Sequence, residues 1–325
     1  MDKNKLIGAI KNLQNRKIAV IGDVVLDKYV YGRVERINPE NPGAPLLKIE
    51  RKDFRLGCAA NVALNIISLG ANASLGCVIG KDHNGRLFER LCRKRKIRLF
   101  SVREGQTIVK ERSIESEFNQ YLLRSDDGES NLMAIGNNST LKIYRFLNNS
   151  TIDAIVLSDY NKCIFRNGFA KRIISLARSK KIPVVIDPKP INAESFKFST
   201  LICPNLKEAK EIIKSDESDI KYLARQLKNT IQCTYVILTC GKKGMVCYDG
   251  KEFTEIPTKA REVVDVTGAG DTACAVMTLG LASGLNIVES AHLANYAAGI
   301  VVEKQGTSIV KPDELIKRIE EDGLF

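Results

Sequence analysis

The chain carries only two histidines, His83 and His292, among 325 residues. That scarcity excludes catalysis centred on histidine and a His-rich metal site. Its nine cysteines are odd in number, dispersed and never spaced CxxC, so neither a disulfide framework nor a zinc site is expected, only reduced and buried thiols. Cys233, Cys240 and Cys247 recur at sevens but straddle a turn expected at Gly241 and Gly244, and the spacing is read as chance. No apolar run approaches the roughly 20 residues of a membrane span, and the early run LIGAI is too short for a signal segment. A soluble cytoplasmic protein with no membrane partner is expected. Also missing is GxGxxG after the first strand, where GDVVLD stands instead, which excludes a nicotinamide oxidoreductase.

What is present is a 44% hydrophobic chain with scattered charge, enough for one large α/β domain or two small ones. The net charge is +12, which raises the question of nucleic acid. The densest basic run, RLCRKRKIR from Arg90 to Arg98, has no interleaved aromatics to stack on bases. It reads as a solvated helix face, with no nucleic-acid partner expected. The same field welcomes nucleotides and sugar phosphates.

Strand-like runs recur at residues 17–22, 73–80, 154–158, 182–187, 201–203 and 235–240, with helical patterns between most of them. Alternation of this kind predicts a largely parallel sheet covered on both faces, with ligands beyond the carboxyl ends of its strands. Residues 28–55 and 107–127 break the rhythm with short alternating strands and a Pro- and Asn-rich turn. They predict a small projecting sheet, a lid on one domain. No internal repeat and no interdomain linker is visible.

The chemistry concentrates in DVTGAGDTACAVM, Asp265 to Met277. It lacks the GxxxxGK[ST] phosphate loop. Gly268 and Gly270 allow a tight turn whose N–H groups face one spot at a helix start, which makes an anion hole. Asp271 sits in the first helical turn, where the helix dipole is expected to keep it ionised. Alone it would pass for an ordinary cap. Beside a phosphate, a carboxylate is useful if a hydroxyl must lose its proton while attacking.

The motif Asp265-x-x-Gly268-Ala269-Gly270-Asp271 resembles the hallmark of the ribokinase/PfkB family of sugar kinases. The resemblance implies a ribokinase-like three-layer α/β/α fold, here a single kinase domain over 1–325 with lid strands near 28–55 and 107–125. It also implies that Gly268, Ala269 and Gly270 form the anion hole and that Asp271 is the base. Gly57-Cys58-Ala59-Ala60-Asn61 resembles the early motif of a glycine pair leading into an Asn-bearing helix, with Cys58 where the second glycine is usual. By the same resemblance Asp27, and after it Asp23, grip sugar hydroxyls. PNLKE implies an ATP site at Asn205, Leu206, Lys207 and Glu208, with Mg²⁺ held through water near Asn205 and Glu208. Thr239, Gly241 and Gly244 imply the nucleotide loop, and Asn295 a place near the adenine.

Within the family, YGRVERINPENPGAPLLKIE, GCAANVALNIISLGA, LSDYNK, IDPK and REVVDVTGAGDT resemble the D-glycero-β-D-manno-heptose 7-phosphate kinases of lipopolysaccharide precursor synthesis. Cys163 and Pro190 stand where that subfamily has glycine. A phosphorylated substrate needs cations, and Lys110 and Arg112 alternate onto one strand face, with Thr107 completing the subfamily pattern and Arg124 on the returning strand. Such residues also serve as solvated edge protectors. Lys189 and Asp159 fall at strand ends, as cleft residues or as structural pairs. The resemblance implies ATP and Mg²⁺ as cofactors, with a monovalent cation such as K⁺ a further candidate. Exposed lid strands suggest a homodimer. Bifunctional relatives add a nucleotidyltransferase half with a His-x-Gly-His motif, which is not expected here. Kinases for fructose 6-phosphate, ribose or a nucleoside are the alternatives.

Overall fold

The computed structural model describes residues 3–41, 43–129 and 136–322, so both ends of the expected domain, 1–2 and 323–325, lie outside the described residues. From the N-terminus run α1 (Lys3–Asn12), β1 (Lys17–Gly22), the long strands β2 (Val24–Ile37) and β3 (Pro45–Cys58), then α2 (Ala59–Ser68), β4 (Asn72–Ile79), α3 (His83–Lys94) and β5 (Arg98–Arg103). The middle holds β6 (Val109–Glu115), β7 (Gln120–Asp127), α4 (Asn137–Asn149), β8 (Ala154–Ser158), α5 (Phe169–Ser179), β9 (Val184–Asp187) and β10 (Leu201–Ile202). There follow α6 (Leu206–Ile213), α7 (Ile220–Ile231), β11 (Tyr235–Thr239), β12 (Met245–Tyr248), β13 (Phe253–Ile256), α8 (Ala269–Ala282), α9 (Ile287–Val302) and α10 (Pro312–Glu321).

KIAVIG has no polar face after Lys17, and β1 is buried at every later position. A strand apolar on both sides needs cover on both sides. Ile18 and Val20 pack into one layer with Leu6, Ala63, Phe88, Met277, Leu293 and Leu315 of α1, α2, α3, α8, α9 and α10. Ala19 and Ile21 face the other, with Ile143, Ile173, Ala209 and Leu223 of α4 to α7. The main sheet has nine strands in the order β13-β12-β11-β10-β9-β8-β1-β4-β5, parallel from β5 to β11. Its antiparallel edge, β12 and β13, was not legible from the strand pattern.

Because β1 lies between β4 and β8, the chain reverses its direction of growth there, and the crevice beyond the strand ends is the natural ligand site. Gly22 closes β1 against β8; a Cβ there would stand 2.3 Å from the Ser158 carbonyl oxygen. The second sheet, ordered β3-β2-β6-β7, is the expected lid, although its strands reach further inward than 28–55. β2 is mostly buried near Val24 and exposed at its last residues, and β3 mirrors it, so the lid is rooted at its base and open at its tip. All nine cysteines are free thiols, eight of them buried. Among the described residues no helix is long and apolar enough to cross a membrane.

Candidate active site

α8 begins beside the root of the lid. Its cap, Gly268, has φ 83°, and a Cβ there would also lie 2.8 Å from Asn61 Nδ2, so two constraints select glycine. The first backbone bonds of the helix run from Ala269 N–H to Val266 O and from Thr272 N–H to Gly268 O. The N–H groups of Gly270 and Asp271 between them belong to the unsatisfied first turn, and Gly270 is exposed.

Asp271 is buried. Asn61 Nδ2 donates to its Oδ2 at 2.9 Å and the Tyr160 hydroxyl to its Oδ1 at 2.9 Å. Burial pushes its carboxyl up to about 6, against the pull of those two donors. A carboxyl near 6 is still mostly ionised at neutral pH, though burial brings it closer to protonation than an exposed aspartate. Tyr160 lies within LSDYNK, where no spacing in the sequence marks it as a partner of Asp271.

Gly57, paired with Val25 in the β2–β3 ladder, leaves room for Asp27, whose Oδ2 would be 2.3 Å from a Cβ at Gly57. Asp27 Oδ1 accepts from Arg112 Nη1 at 2.6 Å, and both side chains are largely buried. Lys110 and Arg112 do share a face, since they oppose Asp27 and Tyr29 across β2. Lys110 Nζ stands 4.0 Å from a Glu129 carboxylate oxygen, and Lys162 Nζ is 2.7 Å from the other. The sequence did not single out Lys162.

Other expected site residues have structural duties. Asp23 accepts from the backbone N–H groups of Tyr160, Lys162 and Ile164, and so pins the loop after β8. Burial pushes its carboxyl up to about 6. Asp159 is buried and accepts from Asn161 N–H, Lys189 N–H and the Asn192 amide. Thr107 ties the lid to the start of α3 through Asp82 and Gly80 N–H. Arg124 opposes Arg112 across the ladder but is exposed and clasped in a two-point pair by Asp126.

On the other side of α8 lies a cleft of about 710 Å³. Asn205, Thr239, Gly241, Gly244 and Asn295 line it with Ala269 and Gly270. Gly241 and Gly244 have φ 57° and 89°. Asn295 Nδ2 donates to Pro257 O at 2.6 Å and fixes the cleft wall. Leu206 and Lys207 do not line this cleft. One turn of α6 sends Leu206 toward the second core layer and Lys207 into solvent near Glu211.

Asn205 and Glu208 form a capping box: Glu208 N–H donates to Asn205 Oδ1 at 2.9 Å and Asn205 N–H to Glu208 Oε2 at 3.0 Å. The remaining Glu208 oxygen takes Lys189 Nζ. Asp187 lies at the end of β9; its backbone carbonyl accepts from Asp159 N–H at 2.9 Å, and its carboxylate makes no ion pair among the described residues. Burial, and the charges of Asp271 and Glu208, push its carboxyl well above the usual range. Of the acids that influence Asp187, only Glu208 is ion-paired with Lys189, and among the described residues no group of three or more His, Cys, Asp or Glu side chains is gathered closely enough to hold a metal ion directly. The signal for Asp187 was its place at a strand end in IDPK.

The sequence matches the pfkB family carbohydrate kinases over residues 15–314. It is 36% identical to the bifunctional protein HldE of Syntrophotalea carbinolica across 97% of this chain and 65% of that protein. With HldE of Coxiella burnetii (strain Dugway) the figures are 38%, 95% and 64%. The chain thus spans slightly under two thirds of the length of these relatives. Among solved structures, phosphofructokinase-2 from Escherichia coli in complex with potassium superposes with a TM-score of 0.79 at 18% identity, covering 94% of this chain and 99% of that one. A putative sugar kinase from Clostridium perfringens gives 0.75 at 19%, covering 94% and 96%. With the ribokinase-like fold and nearly the whole chain matched, this protein belongs to the pfkB family of carbohydrate kinases, phosphotransferases whose acceptor is a sugar alcohol group.

Proposed function

We propose that the chain transfers the γ-phosphoryl group of ATP to the O1 hydroxyl of D-glycero-β-D-manno-heptose 7-phosphate, giving heptose 1,7-bisphosphate and ADP. The observation that carries a phosphorylated acceptor is the convergence of Lys110 and Lys162 on Glu129 at the lid's inner edge. Two ammonium groups gathered around one anion are what a substrate phosphate requires. The heptose itself is favoured by the similarity to HldE over 97% of the chain. Fructose 6-phosphate, ribose and nucleosides are the competing acceptors.

In this reading the sugar lies between the lid and the end of α8, its hydroxyls toward Asp27 and its reacting O1–H toward Asp271. Each oxygen of Asp271 holds one donor and keeps a second lone pair for the substrate proton. Asp271 takes that proton as O1 attacks in line. The N–H groups of Gly270 and Asp271 receive the charge that develops on the transferred phosphoryl oxygens. ATP occupies the cleft lined by Thr239, Gly241, Gly244 and Asn295.

Asp187 and Glu208 would hold Mg²⁺ through water, with the Asn205 capping box fixing Glu208. When bound, the ion supplies neutralising charge to the phosphates. A K⁺ requirement belongs to the proposal too, tested by turnover in KCl against NaCl. Lid strands that carry exposed Ile37, Ile49, Tyr121 and Leu123 support a homodimer through this sheet, and free thiols support a cytoplasmic setting.

ADP release is measured across heptose 7-phosphate, fructose 6-phosphate, ribose and adenosine. Heptose 7-phosphate is expected to give the highest kcat/KM. Strong turnover of a hexose phosphate with none of heptose would overturn the acceptor, and turnover of unphosphorylated sugars alone would overturn the phosphate site.

A further inference from the structure

A second cavity, of about 780 Å³, lies between the edge strand β3, α3 and the segment that leads into α10, and of the residues placed above in the sugar site and the nucleotide cleft only Asn61 lines it. It is as large as the nucleotide cleft. Six basic residues line it, Lys52, Arg55, Lys94, Arg95, Lys304 and Lys311, against two acids, Asp53 and Glu314. Both acids are already spent: Asp53 pairs with Arg55 and Glu314 with Lys304. Lys52, Lys94, Arg95 and Lys311 therefore bring four charges with no ion pair among the described residues.

Beneath this rim lie Phe54, Leu64, Leu87, Leu91 and Ile309. A solvated charge run needs no such floor. Lys94 and Arg95 come from the densest basic run of the chain, at the end of α3 where it turns toward β5. Lys311 caps α10, whose N-terminus adds positive potential. Thr307, on the same wall, buries a hydroxyl oxygen that has no hydrogen-bond partner.

We propose that this cavity is a second anion site, for a small phosphorylated compound with at least two negative charges and a ring or apolar body. The uncompensated cations select the phosphates and the apolar floor takes the body. The cavity reaches Asn61, the partner of Asp271, so its occupant lies one side chain from the reacting carboxylate.

Isothermal titration with metal-free ADP and with pyrophosphate tests the site. The test chains are the wild type, Lys94→Glu/Arg95→Glu, and a control of equal charge change outside the lining, Arg93→Glu/Lys96→Glu. The wild type and the control are expected to bind two ADP per chain, and the test variant one, with its KM for ATP within about twofold of wild type. Pyrophosphate is expected to bind the second site at least about tenfold more weakly than ADP, for want of a body. One ADP per wild-type chain, or equal losses in both variants, would overturn the site. Equal affinity for pyrophosphate and ADP would overturn the role of the apolar floor. Should the variant fail to fold, as read by circular dichroism, Lys52→Ala/Lys311→Ala carries the same test.

Discussion

Asn61 and Asp271 lie 210 positions apart in the chain, yet the amide of one donates to the carboxylate of the other at 2.9 Å inside the protein. Asn61 sits in the first turn of α2 and Asp271 in the first turn of α8, so two helix starts meet at one buried charge. The pair joins the root of the lid to the start of α8. Asn61 also lowers the proton affinity that burial raises at Asp271.

Removing that donor should therefore move a pH profile as well as a rate. With Asp271 at about 6, kcat/KM of the wild type is expected to fall about tenfold per pH unit well below pH 6. Asn61→Ala and Tyr160→Phe each remove one hydrogen bond to the carboxylate, so the acid limb should shift upward, by about a unit. A purely structural loss would lower the whole profile without moving its inflection. An unmoved inflection in both variants would remove Asp271 as the titrating base.

Asp271→Asn should separate chemistry from stability. Phosphoryl transfer is expected to fall about 10²-fold to 10⁴-fold, with ADP binding retained. The wild-type carboxyl has a folded value of about 6 against an ordinary 3.8. Ionisation is thus costlier in the folded chain, and this group's contribution is lost as pH rises through about 6. A neutral amide escapes that loss. Urea unfolding should show Asp271→Asn more stable than wild type by roughly 1 to 3 kcal/mol at pH 7.5, with the gap closing toward pH 4. A variant less stable at pH 7.5 would contradict the burial argument.

Two cysteines occupy backbone conformations that favour glycine. Cys58 has φ 57° and ψ −131°, and Cys163 has φ 86°. These are two of the positions where the family resemblance leads one to expect glycine. Both residues hold a backbone conformation that glycine adopts with less strain. In an ordinary strand Ala is more stable than Gly; here the order should invert. Chemical denaturation is expected to rank Cys58→Gly above Cys58→Ala by about 1 kcal/mol, and Cys163 likewise, whereas Cys77 within β4 should rank Ala above Gly. The ordinary order at both 58 and 163 would show that the strain is relieved elsewhere.

The layered fold was legible because KIAVIG and AIVLS have the unbroken apolar character that a strand covered on both faces requires. The site was legible where backbone shape constrains residue type. Gly57 must clear Asp27 and Gly268 must clear Asn61, so glycine marks the positions where functional side chains pass close. Carboxylates were harder. Asp23, Asp27 and Asp159 all lie at strand ends or the lid root, but spacing does not tell which faces a substrate and which collects loop N–H groups. That depends on the path of residues 160–164 and 189–192, settled only by tertiary packing. Tyr160 and Lys162 stayed hidden for the same reason. They sit in an irregular loop with no periodicity to assign them a face.

Lys162 and Glu129 supply the sharpest test of the proposed acceptor. Glu129 holds the place of an anion between Lys162 and Lys110, and a substrate phosphate would have to displace it. Losing one charge-assisted hydrogen bond costs about 1.5 to 3 kcal/mol, so Lys162→Ala and Lys110→Ala should each raise KM for the sugar phosphate by about 10-fold to 100-fold, with KM for ATP unchanged. Glu129→Gln should act in the opposite direction. It removes the competing charge while nearly keeping the shape, so KM for the sugar phosphate should fall, and an unphosphorylated analogue should show no such gain. Were Glu129 simply a structural anchor for the two lysines, its neutralisation would loosen them and raise KM instead. The sign of that one change, from steady-state kinetics at saturating ATP, decides between a phosphate site and an internal salt bridge.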